Sequence, residues 1–140
     1  MVFGGAQVLM DTEPLVRIYL GTPILHGYTH TIGGALLIGA AAAIIGKPIS
    51  EFVLSRLEIP HYPLSWLASC IGAFVGTFSH IVLDAIMHSD MHPWWPLTSN
   101  NTLLGYIPLW DLHIMCLGLG LIGAFGVWLR VARRPDSIGK

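Results

Sequence analysis

Three long apolar stretches constrain this chain more than any motif in it. They run from about Pro23 to Gly46, from about Leu64 to His88 and from about Asp111 to Val131. A helix needs about 20 apolar residues to cross a hydrocarbon core about 30 Å thick. Each stretch meets that length, and in lipid a spanning segment must satisfy its own backbone hydrogen bonds, so each is predicted as a membrane helix. Charge is correspondingly scarce: 11% of residues are charged and 54% are hydrophobic, against about 25% charged in soluble domains. This excludes a disordered chain and a nucleic-acid binder built on basic patches. The 140 residues suffice for one domain. The predicted fold is an all-α integral membrane protein, a bundle of three to four transmembrane helices. Residues 1–20 are read as a short or half-inserted N-terminal segment, 23–46, 64–88 and 111–131 as spans, and 132–140 as a tail.

Local signals set the boundaries. Thr22-Pro23 reads as an N-cap followed by proline at the first helical position, and Gly46-Lys47-Pro48 as a terminator. Ser65 caps the second span, which stops before Pro93. Arg130, Arg133 and Arg134 stop the third, whose glycines suit close packing in lipid. Met1 to Met10 is apolar but reaches only about 15 Å as a helix. It lacks a basic leader and a cleavage site, so it is not read as a signal peptide. Asp11-Thr12-Glu13-Pro14 breaks it, and Leu15 to Leu20 is expected at the interface. Lys47 and Arg56 in one loop and Arg133, Arg134 and Lys140 in the tail fall on one side, with Arg17 alone opposite. The loop and C-terminus are therefore expected to be cytoplasmic. Trp94, Trp95, Tyr106 and Trp110 form an aromatic belt on the other side, where the Trp pair is read as an interface anchor. His61, in the loop, is expected to be solvated. Cys70 and Cys116 lie in apolar runs and read as small apolar side chains, not as a disulfide framework or zinc knuckle. Gly72-x-x-x-Gly76 reads as a packing contact that could also serve a dimer.

Against this background the ionisable residues stand out. Seven histidines equal all the lysines and arginines together. Ionisable groups inside spans cost several kcal/mol and mark functional sites. His26 and His30 are four apart near the start of the first span. His80, Asp84 and His88 are four apart at the end of the second, so each set is predicted to share a helix face. His30 lies about 10 Å inward from Pro23, and Asp84 and His80 about 6 and 12 Å inward from His88. Antiparallel helices bring those depths together. Asp11 and Glu13, and Asp111 and His113 opening the last span, fall at the same end.

Imidazole and carboxylate in such a set are ligands for zinc or a related divalent ion, which lowers the pKa of bound water towards 7. A single intramembrane histidine is more commonly a hydrogen-bonded packing residue; the case rests on the set. His92 extends the stripe only if the helix passes Pro93, and Asp111 and His113 could simply cap the last span.

At these residues the chain resembles the YdjM-like membrane-bound metal-dependent hydrolases, of the LexA-regulated inner-membrane type. The matching stretches are Val8-Leu9-Met10-Asp11-Thr12-Glu13-Pro14, His26-Gly27-Tyr28-Thr29-His30-Thr31 and Ser79-His80-Ile81-Val82-Leu83-Asp84, followed by a loop, His92-Pro93-Trp94-Trp95-Pro96-Leu97. They span roughly two-thirds of the chain, Val8 to Leu97. The resemblance implies a bacterial or archaeal inner-membrane location and Asp11, Glu13, His26, His30, His80 and Asp84 as site residues. The chain departs from the family pattern with Asp11-x-Glu13 where Asp-x-Asp is usual. It carries His88-Ser89-Asp90-Met91-His92 where glycine is frequent, which leaves the roles of His88, Asp90 and His92 open. It also lacks a full-length span before Asp11.

The resulting expectation is a divalent-metal-dependent hydrolase, with zinc expected and manganese next. Its substrate would be an ester or phosphoester, lipid or lipid-linked because the site lies at headgroup depth on the non-cytoplasmic side. His26, His30, His80 and Asp84 are expected as metal ligands with His88 added, and Asp11 or Glu13 as general base or ligand to a second ion. Thr29, Thr31 or Ser79 would orient the histidines. No nucleic-acid partner is expected; a homo-oligomer would bury the polar face. Two rivals use the same residues. A metal or proton transporter subunit needs polar groups continuing across the membrane, and Ile32–Ile45 and Leu67–Phe78 offer almost none. A haem protein needs two isolated facing histidines, not histidines mixed with carboxylates. A structural or regulatory membrane protein is the remaining alternative.

Overall fold

The computed structural model describes residues 1–58 and 63–133; His61, Arg134 and Lys140 lie outside them. The described residues are helical, with no strand. Five α-helices follow in order: α1 Val2–Met10, α2 Thr12–Tyr19, α3 Ile32–Arg56, α4 Trp66–Met87 and α5 Leu109–Ala132. Three of them, α3, α4 and α5, are long and apolar enough to cross a membrane. The chain forms two units, Met1–Leu104 and a second that begins at Gly105. The second unit is built on α5, where 24 residues carry one acidic side chain in the first turn and one arginine in the last.

In the first unit α1 packs against both α3 and α4. Val2, Ala6 and Met10 recur every four residues on its buried face. Val2 and Ala6 join Ala42, Ala43 and Ala73 in one small-residue core. Met10 joins Ala35, Ile81, Ala85 and Met91 in the other. Small side chains let the backbones approach closely, as lipid-embedded helices require. A Cβ on Gly76 would come within 2.9 Å of the Phe3 carbonyl oxygen and 3.2 Å of Ala6 Cβ. The Gly72-x-x-x-Gly76 seam is thus covered by α1 of the same chain. Between α3 and α4 the buried Ser69 hydroxyl donates to the Ala43 carbonyl at 2.8 Å. At their far end Glu51 accepts from Lys47 Nζ at 2.7 Å and from the Leu64 amide at 2.8 Å.

Two boundaries differ from the sequence reading. The first span begins at Ile32, not near Pro23. Thr22 belongs to the end of α2: Gly21, at φ +67°, donates to the Ile18 carbonyl and Thr22 to that of Arg17. This is a Schellman closure, and only glycine takes the left-handed position without penalty. The chain then runs irregularly to a 3-10 turn at Tyr28–His30. Thr31 is the true cap, its hydroxyl accepting from the Gly34 amide at 3.0 Å. The same helix continues through Pro48 to Arg56. Proline removes one donor from the ladder, while the Lys47–Glu51 pair and the apolar residues Ile49, Phe52 and Val53 carry the helix onward. Lys47 therefore lies within a helix and not in a loop. The second long apolar helix runs Trp66–Met87, with the Ser65 hydroxyl accepting from the Ala68 amide as its N-cap. The N-terminal segment is a short helix as expected, but Asp11 breaks it only briefly. Asp11 joins α1 to α2, and Pro14 sits in the first turn of α2, where its missing N–H costs little.

Candidate metal centre

Loss of the helix before Ile32 removes the predicted stripe of His26 and His30. His26 lies in irregular chain and His30 in the 3-10 turn. Their rings still meet edge to face with centroids 4.8 Å apart. The Ile32 amide donates to the Pro93 carbonyl at 3.0 Å and so ties this segment to the loop after α4. His80 and Asp84 do share a face of α4. His88 does not extend it, because it caps the helix in extended geometry.

Four ligand-bearing groups converge: Asp11, His30, His80 and Asp84 offer atoms within 4.8 Å of one another. His80 Nε2 is the hub, 3.1 Å from Asp84 Oδ2, 3.2 Å from Asp11 Oδ1 and 3.3 Å from His30 Nε2. His30 Nε2 is 3.5 Å and His26 Nε2 3.8 Å from Asp84 Oδ2. The histidines are buried, His30 to 1% exposure, while the Asp11 side chain is 61% exposed. A second group joins His26, His88 and Asp90. There the His26 and His88 rings stack obliquely at 4.5 Å.

Each of the three inner histidines is held through Nδ1 by an oxygen. His80 Nδ1 is 2.6 Å from Gln7 Oε1. His26 Nδ1 is 2.9 Å from Asp90 Oδ1, and the other Asp90 oxygen accepts from the Leu25 and His26 amides. His30 Nδ1 is 2.9 Å from the Thr29 hydroxyl, which donates at 2.5 Å to Glu13 Oε2. An ionised carboxylate only accepts, so the Thr29 proton points at Glu13 and its oxygen accepts from His30 Nδ1–H. In neutral imidazole that places the lone pair on Nε2. The same reasoning holds at Gln7 and Asp90. The Nε2 lone pairs of His30 and His80 thus face Asp11 and Asp84, and that of His26 faces Asp84, with no donor among them.

Glu13 is not among the convergent groups. Its carboxylate accepts from the Thr29 hydroxyl and amide and from Arg17 Nε and Nη2. Burial pushes its pKa up, but these hydrogen bonds prevail and hold it below the usual carboxylate value. The pair packs so closely on Gly27 that a Cβ there would collide with both side chains. At Asp90 burial likewise raises the pKa, and the bonds from His26 and the two amides prevail, holding it at about 2.

Of the orienting residues expected from sequence, Thr29 takes that place. Thr31 instead caps α3, and Ser79 donates to the Gly76 carbonyl of its own helix. Gln7 and Asp90 take the other two places. Gln7 carried a signal, since it lies four residues before Asp11 in an otherwise apolar helix. Asp111 and His113 belong to the second unit, where His113 Nδ1 lies 2.6 Å from the Leu109 carbonyl of its own helix. His92 is tied to the Ser99 carbonyl at 2.6 Å.

The donor set fits a divalent ion. Tetrahedral zinc with bonds of about 2.0–2.1 Å sets its ligand atoms about 3.4 Å apart; the spacings from His80 Nε2 to Asp84, Asp11 and His30 run from 3.1 to 3.3 Å, while His26 Nε2 stands farther out, 3.8 Å from Asp84. Oxygen partners on the second ring nitrogen are the usual support of metal-bound histidine.

Among known proteins, the profile of the family described as YdjM inner membrane protein matches residues 15–137. No curated protein and no solved structure matches the chain.

Proposed function

The chain belongs to the YdjM inner membrane protein family, and from that premise we propose that it is a membrane-embedded, divalent-metal-dependent hydrolase of ester or phosphoester bonds. One observation carries this reading: three histidines, each oriented by an outer oxygen, turn their Nε2 atoms to Asp84 within 3.1–3.8 Å. His26, His30, His80 and Asp84 would hold the ion, with zinc favoured by the nitrogen-rich set and manganese next. A bound divalent ion would supply Lewis acidity and a more acidic water. His88, stacked on His26, would shield that side of the site.

Asp11 is the most exposed member of the cluster and the one suited to take a proton. Water adds to the phosphorus or carbonyl carbon of the substrate, and its proton passes to Asp11. The bond to the leaving oxygen breaks, and the alkoxide recovers the proton. Glu13, with donors on both oxygens, serves as a positioning residue for His30. The basic residue Arg56 at the far end of α3 favours a site end that faces away from the cytoplasm.

The rival chemistries fare worse. Nε2 atoms 3.3 Å apart leave no room for a porphyrin between His30 and His80. Towards the far end, α1, α3 and α4 meet through Ala42, Ala43 and Ala73, a poor path for ions.

The test is turnover of phosphatidate and of a neutral diacylglycerol ester in mixed micelles with zinc or manganese. Asp11→Asn should keep most metal affinity and lose at least 100-fold in kcat, the scale of general-base contributions. Equal kcat in the variant would remove Asp11 from the reaction, and no turnover of any ester class by metal-loaded protein would remove the hydrolase reading.

A further inference from the structure

Two neighbouring cavities lie beside the segment that leads into α3, and the first reaches His26. One, about 210 Å³, is lined by Arg17, His26 and His92 with Tyr28 and Trp95, and no carboxylate among the described residues lines it. The other, about 350 Å³, is apolar and lies along Gly33, Gly34, Leu37 and Ile38. Tyr28, Thr31 and Trp95 border both. The Tyr28 and Trp95 rings meet at 5.0 Å and form the shared wall, so Trp95 lines a cavity as well as sitting at the interface.

The two cavities differ in chemistry and in depth. Arg17 uses Nε, one Nη2 and one Nη1 hydrogen on Glu13 and the Ile24 carbonyl, which leaves two of its five N–H groups for a ligand. This polar end is formed by loop and interfacial helix. The apolar end follows the first two turns of a membrane span, where lipid chains lie.

We propose that these cavities together bind one phosphorylated acyl-chain amphiphile, head against Arg17 beside His26 and chain along Gly33–Ile38. The occupant is a membrane phospholipid or lysophospholipid, which names the substrate class of the proposed hydrolase and rests on that reading only for calling it a substrate. A water-soluble phosphoester leaves the apolar end empty; an uncharged chain offers no acceptor to the two N–H groups of Arg17 that Glu13 and Ile24 do not use.

Gly33 gives a clean test. A Cβ there meets only Thr31 Oγ1, at 3.8 Å, and leucine favours the helix more than glycine does. Gly33→Leu therefore fills the cavity without disturbing the fold. Gly118→Leu, on α5 with nothing within 4 Å of a Cβ, controls for bulk lipid contact. Metal-stripped protein in maltoside detergent is titrated with oleoyl lysophosphatidate, inorganic phosphate and oleyl alcohol, and bound probe is counted by native mass spectrometry. One lysophosphatidate should bind, at least tenfold tighter than phosphate or the alcohol. Gly33→Leu should lose at least tenfold in affinity, and Gly118→Leu should match the parent. Binding unchanged in Gly33→Leu would overturn the proposal. So would phosphate binding as tightly, which marks a free-anion site, or the alcohol binding as tightly, which marks an unselective groove. The readout needs no metal and no turnover. Tight binding with no hydrolysis of any ester class on adding zinc would sink the hydrolase and leave the groove; hydrolysis of another ester without this binding would do the reverse.

Discussion

Thr29 links a carboxylate to an imidazole, and its single proton decides which ring nitrogen of His30 faces the cluster. Thr29→Val keeps the shape and removes the link, leaving Glu13 short of a donor. Metal affinity should fall about 10–100-fold, the usual cost of losing an orienting partner, while Thr29→Ser should stay close to the parent. Competition titration with a chromogenic chelator measures both. Gln7→Leu should do the same through His80 Nδ1. The inner residues were legible in the sequence, because ionisable groups in apolar surroundings are conspicuous. Their supports were less so. Gln7 sits 73 residues from His80, and only packing of α1 on α4 brings the two together. Glu13 looked equivalent to Asp11 by spacing, yet the start of α2 turns it to Thr29 and Arg17 instead.

At the scale of elements, α1 delivers two of these groups and has nine residues to hold it in place. Its anchor is the close approach at Gly76. Gly76→Leu should displace α1, costing about 1–3 kcal/mol as overpacking does, and should lower metal affinity because Gln7 and Asp11 move with it. Ser69→Ala removes the α4–α3 hydrogen bond and should cost only about 0.6 kcal/mol, with metal binding unchanged. Unfolding in a graded denaturing detergent, read beside metal titration, separates the two effects. Hydropathy located the three spans because lipid demands length and apolarity. It misplaced the start of α3, since Thr22-Pro23 has the composition of a helix start while the Gly21 turn makes Thr22 part of a helix end. Pro48 misled in the opposite sense, its one missing donor being outweighed by the residues around it.

In the first unit, polar chemistry gathers at one end of the α3–α4 pair and small apolar residues fill the rest. Depth counted from the helix ends anticipated this meeting. It survived the loss of helix at His26 and His30, because antiparallel pairing sets depth whatever the local backbone. Ligands drawn from α3's leading loop and α4, with Gln7 of α1 holding His80, would make a bound ion a clamp across the unit. Chelation should therefore lower the thermal midpoint, and zinc at 100 times its Kd should restore about 2.7 kcal/mol. A midpoint indifferent to chelator and zinc would remove the clamp.

The most direct measurement is metal content by elemental mass spectrometry on detergent-purified, chelator-free protein, beside Asp84→Ala. Asp84 Oδ2 lies within 3.8 Å of three imidazole nitrogens, so every ligand arrangement proposed above includes it. One equivalent of zinc or manganese is expected in the parent and less than a tenth of that in the variant. Folded parent protein without metal, before and after incubation with zinc and manganese, would contradict the account and leave the cluster as a network of protonated histidines and carboxylates.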